Sequence, residues 1–166
     1  MGNKLTPHDV EKIQEEIDHR TLVVRPKLLE EVKETRAQGD LSENFEYHEA
    51  KRAKNQNESR IRYLTRILKN ATIIDDSSKE DEVGINNTVT IYFEDEDEEE
   101  TYKLVTSIRG NSMHGLISIE SPLGKALLHH KVGDLITVQV DANTSYDCRI
   151  KEIDKSSGDD DDLRAY

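Results

Sequence analysis

Apolar or small side chains recur at intervals of three or four over the first part of the chain, at Val10, Ile13, Ile17, Thr21, Val24, Leu28 and Val32. That spacing is one face of a helix running from about Thr6 to Gln38. Thr6-Pro7 predicts its start, with Thr as the cap and Pro in the first turn. Pro26 lies inside the run, where it deletes a hydrogen bond and crowds the carbonyl of Leu22. The phase resumes at Leu28, so a kink is expected there and not a stop. A second helical run covers roughly 43–69, with Tyr47, Ala50, Ala53, Asn57, Ile61, Leu64 and Leu68 on one side. Only Gln38-Gly39-Asp40-Leu41-Ser42 separates the two runs. So short a link makes them antiparallel neighbours, each burying a narrow seam as in a coiled coil. At 1.5 Å per residue, arms of about 30 residues extend about 40–45 Å.

Beyond a short apolar exit at 71–75 and a polar hinge at 76–87, the period changes to two. Strands are expected at Thr88–Phe93, Thr101–Ile108, Gly115–Ile119, Leu135–Val140 and Ser145–Ile153. One short helix interrupts them, with Ser121 as cap, Pro122 at its start and Ala126-Leu127-Leu128 packing inward. The seven consecutive acids Glu94–Glu100 are expected in a hairpin loop, and 156–166 as a disordered acidic tail. The fold class is therefore α+β. A helical hairpin with an acidic tip (1–75) precedes a small, mainly antiparallel sheet domain (76–155).

Composition agrees with a solvated rod and a small core: 34% of residues are hydrophobic, 35% are charged, and Trp is absent. The net charge of −12 falls entirely on the second part, because residues 1–75 carry 14 Lys/Arg against 14 Asp/Glu. The second part should repel nucleic acid and favour a basic protein surface, or simply gain solubility from its charge. Cys148 is the only cysteine and reads as a small core residue, which excludes an intrachain disulfide. No apolar run reaches the length of a signal-peptide core or membrane span, so a cytoplasmic protein is expected.

The chemistry concentrates at the hairpin tip. Asp40-Leu-Ser-Glu43 is, on spacing alone, a D-x-x-E capping box with Gly39 ending the first helix. Yet two acids and nearby Glu46 crowd the point farthest from any core, and residues three apart on a helix can converge on one cation. Two carboxylates alone make a poor Mg²⁺ site, so an ion shared with a partner and a phosphate is the chemically sensible use. Residues 51–69 contain seven Lys/Arg and one acid, Glu58. Lys51, Arg62, Arg66 and Lys69 share a sector away from the seam, which suits either a phosphate backbone or plain solvation. Arg36 and Lys51 lie nearest the tip. Tyr47 is expected in the seam, and His48 is a possible donor to phosphate.

The stretch Arg36-Ala-Gln-Gly-Asp-Leu-Ser-Glu-Asn-Phe-Glu-Tyr-His48 resembles the tip signature of the GreA/GreB transcript cleavage factors of bacterial RNA polymerase. The resemblance continues through Asn70-Ala-Thr-Ile-Ile-Asp75. It returns in Ile119-Glu-Ser-Pro-Leu-Gly-Lys-Ala-Leu128 and Val132-Gly-Asp134, with the GreA branch the nearer. It implies a coiled coil that enters the secondary channel of the polymerase and an FKBP-like domain that docks at the channel mouth. Asp40 and Glu43 fall on the family's metal-coordinating acids, which help hold the polymerase's second, weakly bound Mg²⁺ while backtracked RNA is cut. The free protein is not expected to bind that Mg²⁺. Arg36 and Lys51 fall on basic positions facing the nascent RNA 3′ end. The implied protein is a monomer that stimulates cleavage without being an enzyme itself. Ser42 stands where the family usually has a basic residue, and Phe45 where it usually has a small one. A channel-binding regulator that delivers no metal is the alternative reading. A peptide-binding or prolyl isomerase module would rest only on the fold expected of the second half.

Overall fold

The computed structural model describes residues 2–39 and 44–165. The chain divides into two compact units, 9–71 with the first two residues, and 3–8 with 72–166.

The first unit is a helical hairpin. Its first arm comprises α1 (Pro7–His19), a π-helical turn (Arg20–Val24) and α2 (Arg25–Arg36); its second arm is α3 (Phe45–Lys69). Descending partners of ascending residues, Glu16 with Arg60 and Thr35 with Asn44, make the arms antiparallel. The expected kink takes a specific form. Pro26 has no N–H to give, and just before it the ladder widens so that the Arg25 N–H bonds the Arg20 carbonyl, five residues back. That carbonyl also accepts from Asn57 Nδ2 at 3.1 Å. The wider turn leaves Leu22 and Val23 exposed.

The seam differs in phase from the sequence reading. α3 buries Ala50, Asn57, Arg60, Tyr63, Leu64 and Ile67, whereas Ile61 and Leu68 are only half-buried. Both pairs repeat every seven residues; the seam takes Arg60 and Ile67, three residues after Asn57 and Leu64, and leaves Ile61 and Leu68, four residues after them, at its margin. Arg60 is tolerated there because Glu16 meets it: Nε donates to Glu16 Oε2 at 2.8 Å and Nη2 to Oε1 at 3.3 Å. Arg20 donates to the same carboxylate at 2.8 Å and to Asn57 Oδ1 at 3.0 Å. Burial pushes the Glu16 carboxyl upward, but the hydrogen bonds from Arg60 and Arg20 outweigh it and hold the group below the usual range. A polar layer of this kind fixes which residues face each other along a coiled coil.

In the second unit, β1 (Lys4–Leu5) pairs in parallel with β2 (Thr72–Ile73), a ribbon the periodicity does not reveal. The main sheet contains β3 (Thr88–Phe93), β4 (Glu98–Val105), β5 (Leu116–Ser118), β6 (Leu135–Gln139) and β7 (Ser145–Asp154). Its spatial order is β5-β4-β3-β7-β6, antiparallel except for the β4–β5 pair. Alternate residues Val89 and Ile91, Ile136 and Val138, and Cys148 and Ile150 enter one core beneath α4 (Pro122–Leu127). Burial raises the Cys148 thiol to about 11, as befits a core residue and not a nucleophile.

The α4 sequence explains itself locally. Ser121 Oγ accepts from the Gly124 N–H at 3.0 Å, and Pro122 occupies the first turn. Gly124 is required because a Cβ there would lie 1.9 Å from the Ser118 carbonyl oxygen.

Two expectations are corrected here. The acid run is not all loop: the turn takes Glu94–Asp97, and Glu98–Glu100 enter β4 opposite Phe93, Tyr92 and Ile91. Cations from β7 offset the charge, with Arg149 Nε donating to Glu94 at 2.8 Å and Lys151 Nζ to Glu99. Residues 156–165, expected to be disordered, are fastened to the sheet domain through Asp161, which lies 2.7 Å from Lys103 Nζ and 3.0 Å from Arg109 Nη1.

Candidate functional site

Asp40 and Glu43 lie outside the described residues, together with Leu41 and Ser42; the structure instead describes the frame around them. α2 ends in backbone bonds, Ala37 N–H to Lys33 O at 3.3 Å and Gln38 N–H to Thr35 O at 3.2 Å. Gly39 follows at φ +119°, in the region that favours glycine.

The other arm starts at Phe45, two residues later than the periodicity suggests, and its N-cap is Asn44. Asn44 Oδ1 accepts from the Tyr47 N–H at 3.0 Å, and Asn44 Nδ2 donates to the Thr35 carbonyl at 2.7 Å. One neutral amide therefore caps α3 and ties the ends of both arms together. Thr35 Oγ1 in turn donates to the Glu31 carbonyl at 2.8 Å. The capping bond expected from Asp40 lies outside the described residues; the described N-cap is Asn44. Sequence reasoning missed this residue, although Asn ranks with Asp as an N-cap and stands directly before the helix.

Arg36 is exposed in the last turn of α2, and Lys51 is exposed in the second turn of α3. His48, Lys51, Arg52, Asn55, Gln56 and Ser59 line a shallow polar groove along the outer face of α3. Arg62, Arg66 and Lys69 are also exposed farther down the arm, and Arg66 sits 5.9 Å from the Tyr63 ring centroid. Not every cation of this arm faces solvent: Arg60 is drawn into the seam, and Arg52 pairs with Glu49 at 2.9 Å. Tyr47 is half-buried and meets the exposed His48 edge-on at 5.4 Å. Phe45, at the first position of α3, is 75% exposed.

The donor set of the tip is two carboxylates, hard oxygen ligands suited to Mg²⁺ but too few to fill its octahedron. The amide of neighbouring Asn44 is occupied by the cap and by Thr35. An ion held by Asp40 and Glu43 would need most of its ligands from elsewhere. No helix among the described residues is long and apolar enough to cross a membrane.

Comparison with known proteins agrees with this organisation. Residues 3–73 match the family model of the transcription elongation factor N-terminal domain of GreA and GreB, and residues 78–155 match the C-terminal model. The chain is 45% identical to transcription elongation factor GreA of Thermoanaerobacter pseudethanolicus, over 83% of this chain and 88% of that protein. It is 39% identical to the GreA of Streptococcus pneumoniae, over 92% of this chain and 96% of that one. Among solved structures, GreA factor homolog 1 of Thermus thermophilus aligns at 25% identity, covering 92% of this chain and 99% of that one with a TM-score of 0.45. With both family models matched in order along nearly its whole length, the chain belongs to the GreA/GreB transcription elongation factor family.

Proposed function

We propose that this protein binds RNA polymerase, inserts its helical hairpin into the secondary channel, and stimulates the polymerase's own cleavage of backtracked RNA. The observation that carries the reading is the division of labour at the tip. Asn44 supplies the cap of α3 and the cross-arm link, so the helices do not require the carboxylates of Asp40 and Glu43 for either task.

In this reading Asp40 and Glu43 would share the second Mg²⁺ of the polymerase, and that ion, when bound, supplies charge neutralisation at the scissile phosphate and a more acidic water. Arg36 and Lys51 hold the RNA 3′ end by charge, which positions the phosphate without reading its sequence. The protein acts as a monomer and is not an enzyme alone, because two carboxylates leave most of the coordination to the polymerase and the RNA.

The experiment is cleavage of stalled, backtracked complexes with wild type beside Asp40→Asn and Glu43→Gln. Loss of cleavage with polymerase binding retained is expected; cleavage unchanged by Asp40→Asn refutes the mechanism. The exposed Phe45 favours one alternative, a regulator that occupies the channel without delivering metal. Inhibition of RNA synthesis that is indifferent to Asp40→Asn would select it.

A further inference from the structure

We propose that residues 155–165 form a strap lying in cis on a carboxylate-recognising groove of the sheet domain, and that this groove binds an acidic, extended segment of a protein partner when the strap lifts. Along the strap, burial alternates with a period of two. Lys155, Ser157, Asp159, Asp161 and Leu163 are half-buried, while the residues between them are exposed. That is the signature of an extended chain with one side on a surface.

The inward side is fastened at each step. Lys155 Nζ donates to Ser78 Oγ at 2.8 Å and to Asn87 Oδ1 at 2.9 Å. The Ser157 and Thr88 hydroxyls meet at 2.6 Å. Lys103 Nζ donates to the Gly158 carbonyl and, at 2.7 Å, to Asp161 Oδ2. Arg109 Nη1 reaches the same oxygen at 3.0 Å. Farther along, the Arg164 N–H donates to the Ile108 carbonyl at 2.7 Å. On the outward side His8 Nε2 lies 3.0 Å from Asp160 Oδ1.

Three features make this surface a binding groove and not merely an edge of the fold. Arg109 is 1% exposed, so a buried guanidinium is turned toward a carboxylate that lies outside the hydrophobic core. Every residue of the sheet-domain core falls between Ile74 and Ile153, and the family model ends at residue 155, so the strap can leave without removing a core side chain. The contacts recognise a carboxylate and the main chain, through two cations, a hydroxyl and a backbone carbonyl, with Leu163 the only large apolar residue on the inward side. Residues 76–166 carry 21 acids against 9 bases, so two cations converging on one carboxylate are the exception on this domain. They select an acidic ligand where the remaining surface repels one. Burial works against ionised Asp161, but Lys103 and Arg109 more than offset it and keep its pKa below the usual range. A tethered ligand acts at a high effective concentration, so the strap holds outside ligands off until it is displaced.

The probe is a synthetic peptide of residues 156–166, titrated into the full chain, into full-length Asp161→Asn, and into the chain ending at Lys155, with backbone amide shifts as readout. The two opened forms should bind it saturably, with shifts at Thr88, Lys103, Ile108 and Arg109. Binding should weaken as salt rises and should be at least about tenfold weaker on the wild-type chain. Absence of peptide binding to both opened forms would make the strap a structural appendage and overturn the proposal. Equal binding to the wild-type chain would also overturn it, by showing that the strap does not occupy the groove.

Discussion

Replacing Asn44 separates two contributions that one side chain makes at the hairpin end. Its oxygen caps α3 at Tyr47 N–H, and its amide nitrogen bonds the Thr35 carbonyl across the turn. Loss of an Asn cap costs about 1 kcal/mol. Loss of a hydrogen bond to a carbonyl costs about 1 kcal/mol more. Asn44→Ala removes both and should destabilise the end of the hairpin by about 2 kcal/mol, a roughly thirtyfold rise in its opening constant. Asn44→Ser keeps a cap acceptor but has no amide to reach Thr35, so it should cost about 1 kcal/mol, or roughly fivefold. Hydrogen exchange of the Tyr47 and Ala37 amides reads the opening where it occurs, independently of the sheet domain. If Tyr47 exchanges equally in wild type and Asn44→Ala, the cap assignment is wrong. If Ser and wild type behave alike, the cross-arm bond contributes nothing. In the cleavage assay the rank should be wild type, Ser, then Ala, since a frayed frame holds both acids less often in one place.

Three further outcomes test the fold. Glu16→Gln should cost the hairpin about 2 kcal/mol by weakening charged hydrogen bonds to Arg60 and Arg20, while joint replacement of Glu16 and Arg60 by Met should be nearly neutral; urea denaturation followed by far-UV circular dichroism checks both. Because the folded Glu16 carboxyl lies below the usual glutamate range, its contribution is full above about pH 4.3 and is lost as pH falls through the folded value, so Glu16→Gln should flatten the acid limb of stability. Gly124→Ala should destabilise the sheet domain by more than about 2 kcal/mol, since the added Cβ meets the Ser118 carbonyl oxygen at 1.9 Å; thermal unfolding of the full chain reads it, and a stability equal to wild type would contradict that approach.

What the sequence made legible was set by the reach of each signal. Ser121-Pro122 and the strand Thr88–Phe93 were readable because cap and alternation are complete within a few residues. Cys148 was readable as core from its alternating neighbours. Glu98–Glu100 were not readable as strand, because glutamate alone disfavours it and the offsetting cations, Arg149 and Lys151, lie about fifty residues away. The seam phase failed at Arg60 for the same reason: only its partner Glu16 on the other arm makes a buried arginine reasonable. The strap was hidden by composition. Its Asp-rich sequence looks solvated until Lys103 and Arg109 are brought beneath it. At the tip, the acids were visible in the sequence, whereas Asn44 was passed over because the periodicity set the start of α3 two residues too early.

The choice of a neutral cap has a chemical consequence. The start of α3 carries the partial positive charge of unpaired amides, which favours anions nearby. Asp40, Glu43 and Glu46 all stand within a few residues of that start. Had an acid served as the cap, its oxygen would be committed to a backbone N–H and would have to leave it to meet a metal. With Asn44 in that place, its amide oxygen accepts the Tyr47 N–H and this bond draws on no carboxylate. In the proposed function, Asp40 and Glu43 would then serve a cation whose remaining ligands come from another molecule. The same logic predicts that Asn44→Asp, although a good cap, is a poor substitute: its second oxygen faces the Thr35 carbonyl where the amide donated, and a further negative charge is added beside the pair. Stability should fall by about as much as in Asn44→Ser, while the extra charge alters the Mg²⁺ dependence of cleavage, a change that Asn44→Ser should not produce.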